Sequence, residues 1–356
     1  MKNSKSGLPF ASCFLHIRQW IMKKKVLALI LTIVSILACI LGIVFGIVEY
    51  NINQKMSKFY YTYTRNNCCI TGVKDKTVTE IVVPDCVTSI GDDAFEWCTN
   101  LTKITISDSV TNIGAGAFTR CYSLESVVIP YGVTAISPST FFECRSLTSV
   151  VIPNGVTNIG DWAFASCDSL AEIVIPDSVK AIGQSAFRDC ISLISIEIPD
   201  LVTSIGPCVF YQCTSLKTVV IGNSVISICD SAFELCTNLT SVVIGDSVTS
   251  IGEDAFRNCD SLTSIEIPNS VMSIGNWAFE ECDSLTSVVI GDGVEIIGYR
   301  AFNSPHLTDI TFKDTSVWYY TESQDKIGGV QIDVTNPSAN ATYCKDTYRS
   351  YYWYKL

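Results

Sequence analysis

Cysteine is the residue with the greatest chemical potential in this 356-residue chain, which contains 17 cysteines but only two histidines. Thiols form disulfides, bind metal ions or act as nucleophiles. No Cys-x-x-Cys pair and no histidine cluster occurs, so the spacing does not favour a metal site. Nine of the cysteines recur every 23 residues, at positions 98, 121, 144, 167, 190, 213, 236, 259 and 282.

The regular cysteines are better suited to packing than to disulfide formation. If the repeats stack in parallel, the Cβ atoms of neighbouring cysteines point the same way and lie too far apart to be bridged. We therefore predict buried, reduced thiols that act as small apolar side chains. Pairing along the series is the weaker alternative, because nine cysteines leave one thiol over. The sequence leaves open the disulfide state of Cys68, Cys69 and Cys86 near the N-terminus, and of Cys208 and Cys229 on adjacent repeats.

Catalytic residues are scarce. His306 is the only imidazole beyond His16, which lies near the N-terminus. The chain contains no G-x-S-x-G, Walker or HExxH motif, and no D-x-D-x-D-G calcium loop. Carboxylates are so abundant that no particular pair stands out as a general acid and base. We predict a protein that is not an enzyme and needs no cofactor or metal.

A 23-residue period also governs the apolar residues that would position these thiols. Phenylalanine precedes each regular cysteine by three residues, and leucine follows it by three. Units of this length cannot bury a core alone, but stacked units bury both of their faces. The period predicts an α/β solenoid with a parallel β-sheet. The phenylalanines stand at 95, 118, 141, 164, 187, 210, 233, 256, 279 and 302.

Each unit divides into three parts, as in LTSVVIPNGVTNIGDWAFASC over residues 147–167. The first part alternates, so Val150 and Ile152 face the core while Val151 faces outward, as in a strand. A second short extended piece ends at Gly160, which turns the chain. In the third part the apolar residues fall at i, i+1 and i+4. This spacing predicts one or two helical turns.

The N-terminal segment has the charge pattern of an exported protein. Residues 26–48 form an uncharged run of 23 residues, long enough to cross a ~30 Å hydrocarbon core as a helix. Three lysines precede it, at 23–25, so we predict a signal anchor with residues 1–25 in the cytoplasm and the remainder outside. A cleaved signal starting at Met22, a lipoprotein signal ending at Cys39, and a buried helix are the alternatives.

The rest of the chain is strongly acidic. Residues 67–356 hold 15 basic and 34 acidic residues, whereas residues 1–66 hold nine basic residues and one acid. A clustered positive surface for nucleic acid is therefore not expected, and we predict no nucleic-acid partner.

The unit LxxIxIPxxVxxIGxxAFxxC resembles the BspA-like, Treponema pallidum-type leucine-rich repeat, over roughly residues 78–312. Departures from the pattern are Ser137 and Cys229 for the turn glycine, Thr140 and Val209 for the alanine, and Pro305 near the missing tenth cysteine. The resemblance implies a leucine-rich repeat fold. It also implies a surface-exposed or secreted protein that binds host or neighbouring-cell proteins in adhesion.

These patterns together predict the domain organisation. A transmembrane signal anchor at 26–48 is followed by a linker at 49–66. The repeats with an N-terminal half-repeat cap occupy 67–313, and an aromatic capping segment occupies 314–356. The protein is expected in the cell membrane with a single span, or secreted if the N-terminal segment is cleaved.

The outward-facing residue of each strand forms the candidate binding site. Valine dominates this position, and contiguous exposed apolar residues usually mark a contact surface. Since valine also suits any regular strand, β-propensity alone is the competing explanation. We expect binding of extracellular or host proteins, with self-association as a structural, envelope-forming alternative. The strip comprises Val128, Val151, Val174, Glu197, Val220, Val243, Glu266 and Val289.

Tryptophans occur on the turns of three repeats. Trp97, Trp162 and Trp277 either cover neighbouring repeats or act as contact anchors. Packing over a neighbouring repeat is the interpretation that we favour.

Overall fold

The computed structural model describes residues 22, 29–30, 32–41, 43–44, 54–64, 67–325, 329–347 and 350–355. The chain forms two units, Met1–Ser57 and Lys58–Leu356. In the first unit, the described residues between 22 and 44 are helical. No helix among the described residues is both long and apolar enough to span a membrane. Residues 1–21, and several residues of the apolar run 26–48, lie outside the described part of the chain.

The second unit contains two ladders of parallel strands, and most of its 23-residue coils contribute to both. The long-strand ladder takes its strands from the alternating segment that follows each leucine. Its members are β3 (Glu80–Val82), β5 (Lys103–Thr105), β7 (Ser126–Val128), β9 (Ser149–Val151), β12 (Ser195–Ile198), β14 (Thr218–Ile221), β16 (Ser241–Val243), β18 (Ser264–Ile267), β20 (Ser287–Ile290) and β22 (Asp309–Phe312). The predicted solenoid with a 23-residue repeat is confirmed.

The short-strand ladder takes two residues from each coil, just before the turn glycine. Its members are β4 (Ser89–Ile90), β6 (Asn112–Ile113), β8 (Ala135–Ile136), β10 (Asn158–Ile159), β11 (Ala181–Ile182), β13 (Ser204–Ile205), β15 (Ser227–Ile228), β17 (Ser250–Ile251), β19 (Ser273–Ile274) and β21 (Ile296–Ile297). Hydrogen bonding is continuous from β8 to β21. In each strand the isoleucine points into the core, which the two ladders enclose.

The long-strand ladder is interrupted twice within the described range 67–325. Its hydrogen-bonded groups are β3 to β9, β12 to β16, and β18 to β22. Residues 171–176 form no strand, which separates the first group from the second. The coils remain stacked across both gaps, because the core and the short-strand ladder continue past them.

Phenylalanine fills the core in an unbroken column. From Phe95 to Phe302, consecutive rings lie 5.1–5.5 Å apart with interplanar angles of 3–10°. All of these rings are buried, and so are the regular cysteines and the leucines that follow them. Stacking thus gives each coil the apolar neighbours that it lacks alone, as a solenoid requires.

The third part of each coil is not helical, so the predicted helical turns are wrong. Within 67–313, all of which the structure describes, these residues form consecutive turns. Trp162 and Ser166 have φ angles of 58° and 56°, and their counterparts in other coils also adopt positive φ. Their N–H groups, like that of Phe164, donate to carbonyl groups of the next coil. A helix would keep these bonds within its own coil.

An antiparallel hairpin begins the second unit. It comprises β1 (Phe59–Thr64) and β2 (Asn67–Val73), and β2 continues in parallel into β4. The Phe59 ring meets Phe95, the first ring of the stack, edge-on at 6.4 Å. Strand β1 lies within the stretch 49–66 that we interpreted as a linker. Its sequence FYYTYT is rich in aromatic and β-branched residues, which suit a strand.

The C-terminal segment closes the other end. Its elements are β23 (Trp318–Thr321), β24 (Val330–Ile332), the helix α1 (Pro337–Thr342), a π-helix (Tyr343–Thr347) and β25 (Tyr352–Lys355). Strand β25 pairs antiparallel with β21, the last short strand. In α1, the buried amide of Asn340 donates to the carbonyl groups of Ile310 and Val334. The buried rings of Trp318 and Trp353 pack on Phe312, so the last coil does not expose its apolar side.

Candidate functional site: the exposed face of the long strands

The outward-facing residues of the long strands form a row across the coils. Val128 and Val174 are 64% and 80% exposed, and Val220 and Val243 are 44% and 56% exposed. The remaining members are Val151, Glu197 and Glu266, which are exposed, and Val289, which is only half-buried.

Strand alternation produces this row. In β12, Ile196 and Ile198 are buried while Ser195 and Glu197 are exposed. The neighbouring coils keep the same register, which pairs Glu197 with Val220 and Val220 with Val243. The predicted strip residues therefore lie side by side within each hydrogen-bonded group of strands, and Val174 lies in the stretch 171–176 between two of these groups. Val289 lies between Glu266 and Thr311 on paired strands.

Several shallow troughs mark this surface. One, of about 660 Å³, lies over the ends of β12, β14 and β16, and Val220, Val243 and Glu197 contribute to its lining. A second, of about 570 Å³, continues from it across the gap between β16 and β18 to Glu266. A third, also about 570 Å³, lies between Val151 and Val174 at the other interruption of the ladder.

Carboxylates dominate the polar lining of the two adjoining troughs. Asp177, Asp200 and Asp246 extend from the turns that follow the strands, beside Glu197. Within 67–325, none of these four groups forms an ion pair. Asp200 accepts a hydrogen bond from the Asn223 N–H, so this carboxylate also supports the next coil.

One cation reaches the same surface. Lys313 Nζ lies 2.8 Å from Glu266 Oε1, and the hydrogen bond to this carboxylate raises the pKa of Lys313. The Glu266 side chain remains 68% exposed in this contact. The surface therefore combines an apolar floor with a negative rim, and the valine row is only part of the site. The alternation of residues along the strands did not predict the rim, because the aspartates of the rim lie in the turns.

The turn-side tryptophans pack on neighbouring coils. Trp97 meets Tyr122 edge-on at 6.0 Å, and Trp162 meets Phe142 at 6.1 Å. The Arg120 guanidinium also lies 4.5 Å from the Trp97 ring. Trp277 packs on Tyr299 of the next coil in the same way. These contacts support the packing interpretation.

Each buried thiol after the first in the series makes a hydrogen bond that its spacing does not reveal. From Cys121 to Cys282, each Sγ donates to the carbonyl oxygen of the phenylalanine one coil earlier, over 3.1–3.3 Å. The tenth coil lacks the cysteine, and Ser304 Oγ instead donates to the Phe279 carbonyl group at 2.8 Å. The series is structural because every thiol faces the core.

Burial also makes these thiols poor nucleophiles. Desolvation raises the pKa of Cys190, Cys236 and Cys282 to about 12. The thiolate is the reactive form, so its fraction at neutral pH is very small. Among the other described cysteines, Cys39 is exposed and Cys68 and Cys344 are buried. The remaining four are half-buried, namely Cys69, Cys86, Cys208 and Cys229.

This difference predicts the order of thiol alkylation. In the folded full-length chain at pH 8, we expect iodoacetamide to modify Cys229 at least about 100-fold faster than Cys236, which lies in the same coil. Mass spectrometry over time measures both rates after digestion with a glutamate-specific protease, because cleavage after Glu234 separates the two cysteines. Unfolding in guanidinium should bring the two rates together. Equal rates in the folded chain would contradict burial of the cysteine series.

The remaining candidates for chemistry are His306 and the acidic side chains. His306 Nδ1 lies 2.7 Å from the backbone carbonyl oxygen of Asp283, and the ring is exposed at the last coil. Among the described residues, no group of three His, Cys, Asp or Glu side chains is arranged to hold a metal ion.

Comparison with known proteins points to one family. The chain matches the BspA type leucine rich repeat region over residues 73–194, 134–262 and 180–308. Three solved structures are similar. A leucine-rich repeat protein from Bacteroides ovatus is 27% identical, with 69% of this chain and 90% of that one covered and a TM-score of 0.36.

The second, a leucine rich cell surface protein from Faecalibacterium prausnitzii, is 25% identical, with 73% and 94% covered and a TM-score of 0.40. The third, the leucine rich repeat protein of T. pallidum, is 29% identical, with 58% and 88% covered and a TM-score of 0.43. No curated protein matches this chain.

Proposed function

This chain belongs to the BspA-type leucine-rich repeat family, and we propose that it is a cell-surface binding module without catalytic activity. It uses the exposed face of its long strands to bind proteins of the host or of neighbouring cells. The observation that carries this proposal is the row of exposed valines bordered by carboxylates. A soluble protein usually keeps such an apolar strip only where it makes a contact.

Location outside the cell is part of the same proposal. The uncharged run at 26–48 follows three lysines, which is typical of a signal anchor that leaves the rest of the chain outside. The repeats would then face other proteins directly, whether they stay anchored or are released by cleavage. Support for a non-catalytic role comes from the solved relatives, which are named as repeat or surface proteins and not as enzymes.

Two charges placed in the row test the binding role. We expect Val151→Glu with Val243→Glu to leave the fold intact and to reduce capture of cell-surface and matrix proteins by the full-length chain at least fivefold. The new carboxylates put charge into an apolar contact, which is costly to bury. Capture on immobilised protein, quantified by mass spectrometry, measures the effect.

A matched control distinguishes the effect of the altered surface from the effect of added negative charge. Ile226→Glu with Met272→Glu adds the same charge at two residues that are 52% and 50% exposed beside the short strands. This control should capture partners as well as the unaltered chain does. Undiminished capture by the Val151 and Val243 variant, with intact folding, would reject the strip as the binding surface.

Self-association is the second candidate function, and strand β1 favours it. Among the described residues, β1 is the terminal strand of its sheet. Tyr60 and Tyr63 on this strand are 58% and 63% exposed. Edge strands of this kind can pair with a strand of another chain. A mass that rises with concentration in light scattering would favour this function over binding of other proteins.

A further inference from the structure

Two glutamates interrupt the valine row on the exposed face of the long strands. Glu197 precedes Val220 and Val243 in register on successive coils. Glu266 holds the equivalent position on the next coil, in β18. Across these four coils the row reads Glu-Val-Val-Glu, which is an apolar centre with a carboxylate at each end.

This row lies along the two adjoining troughs. Val243, Ile244 and Asp246 line both of them, so the troughs form one continuous depression from Glu197 to Glu266. The interruption between β16 and β18 lies beneath it, and Ile244 is buried there. A partner segment lying across the strands would cover both valines and reach both glutamates.

The charge of the depression selects the partner. Its lining includes Asp177, Asp200 and Asp246 in addition to the two glutamates, and Lys313 is the one cation in the lining of the described troughs. Lys313 contacts one oxygen of the exposed Glu266 carboxylate. An exposed pair of this kind is weak, so an incoming cation can share the carboxylate. The same field opposes an acidic partner and accelerates approach of a basic one.

The spacing defines the partner further. Paired strands lie ~4.8 Å apart, and with a similar step across the gap between β16 and β18, Glu197 and Glu266 are roughly 14 Å from each other. An extended chain rises ~3.4 Å per residue, so four residues also span about 14 Å. Alternate side chains point the same way, and residues 1, 3 and 5 of such a segment would therefore face the row together.

We propose that this depression binds an extended segment of a partner protein that carries Lys or Arg at its first and fifth positions and an apolar residue at its third. The cations pair with Glu197 and Glu266, and the apolar side chain covers Val220 and Val243. This inference rests on the proposed function, since it names the chemistry of the partner at that surface.

The test uses three fluorescein-labelled, terminally blocked peptides and the full-length chain in nonionic detergent at low salt. The probe has the sequence TKTVTKT. The second peptide, TKTVKTT, shortens the lysine spacing to three residues, and the third, TETVTET, reverses the charge. Fluorescence anisotropy is expected to show binding of the first peptide at least fivefold tighter than that of the second, and weaker binding still of the third. Raising the salt should weaken the first interaction.

Variants locate the binding. Glu197→Gln or Glu266→Gln should each weaken binding of TKTVTKT about threefold, and the two together about tenfold, as expected for exposed ion pairs. The control Glu295→Gln changes an exposed carboxylate next to strand β21 of the other ladder and should have no effect. Circular dichroism checks that each variant is folded.

Several outcomes would overturn the inference. These are equal binding of the three peptides, no binding of TKTVTKT, binding that the two Gln variants leave unchanged, or binding of a chitosan oligosaccharide in place of the peptide. If the unaltered chain still captures surface proteins in any of these cases, the proposed function stands and only the partner chemistry is wrong. If capture fails as well, the proposed function is also rejected.

Discussion

Replacing Phe141 by alanine is expected to lower the free energy of unfolding by about 4 kcal/mol, in the range of large-to-small changes at buried phenylalanines. The Phe141 ring is fully buried. It lies 5.4 Å from the Phe118 ring and 5.3 Å from the Phe164 ring, both nearly parallel to it. Alanine would leave a ring-sized cavity between two neighbours that cannot approach each other, because backbone hydrogen bonds between successive coils set the coil spacing.

The adjacent residue provides the control. Phe142 points to the turn side, is half-buried and meets Trp162 edge-on. Phe142→Ala removes an equal volume but leaves no enclosed cavity, and it should cost about 1 kcal/mol. Urea unfolding of the full-length variants in nonionic detergent, followed by tryptophan fluorescence, gives both values. Equal losses at 141 and 142 would show that the column of rings does not hold the coils together.

The core was predictable from spacing because every coil places the same side chain in the same environment. A ring in one coil packs on the ring 23 residues later, so any coil with a polar residue at that position would break the column. Phe95 to Phe302 keep the period without exception, and the structure buries each one. The cysteine three residues after each phenylalanine is buried for the same reason. From Cys121 onward, its thiol also donates a hydrogen bond to the carbonyl group of the phenylalanine one coil earlier.

The turn segment was not predictable from the same spacing. Apolar residues at i, i+1 and i+4 fit a helical turn, and they fit equally the consecutive turns that the structure contains. The difference lies in positions of positive φ, two in every coil from Asp93 to Glu281, such as Trp162 and Ser166. Glycine usually marks such positions, but among the described residues only Gly116 does so. Bonds from these residues to the next coil stabilise a conformation that local sequence does not favour.

The candidate site was partly predictable. Alternation along each strand predicted which side chains of β9 or β14 are exposed, and Val151 and Val220 are indeed exposed. The depression depends instead on where the long-strand ladder is interrupted, between β16 and β18 and at 171–176. The sequence does not show where the backbone pairing between coils stops, because the repeats on the two sides of a gap have the same residue pattern.

The close stacking of the coils also explains why glycine precedes most of the turns. At Gly275, a Cβ atom would lie 2.5 Å from the Gly252 carbonyl carbon and 2.6 Å from the Glu253 nitrogen. Both are backbone atoms of the preceding coil, which the strand ladder holds in place. Serine occupies the equivalent position 137, where its hydroxyl donates to the Ile113 carbonyl group at 2.5 Å. A methyl group makes no such bond, so alanine gains nothing to offset the close approach.

Gly275→Ala is therefore expected to destabilise the fold by about 3 kcal/mol, the upper range for forcing a methyl group into a packed site. Gly206 is the matched control, because its Cβ would lie 3.4 Å or more from every neighbour. Gly206→Ala should change stability by less than about 1 kcal/mol, since alanine also restricts the unfolded chain. Urea unfolding compares the two variants. Equal stability of the two variants would show that the close approach of the preceding coil is not the reason for glycine at position 275.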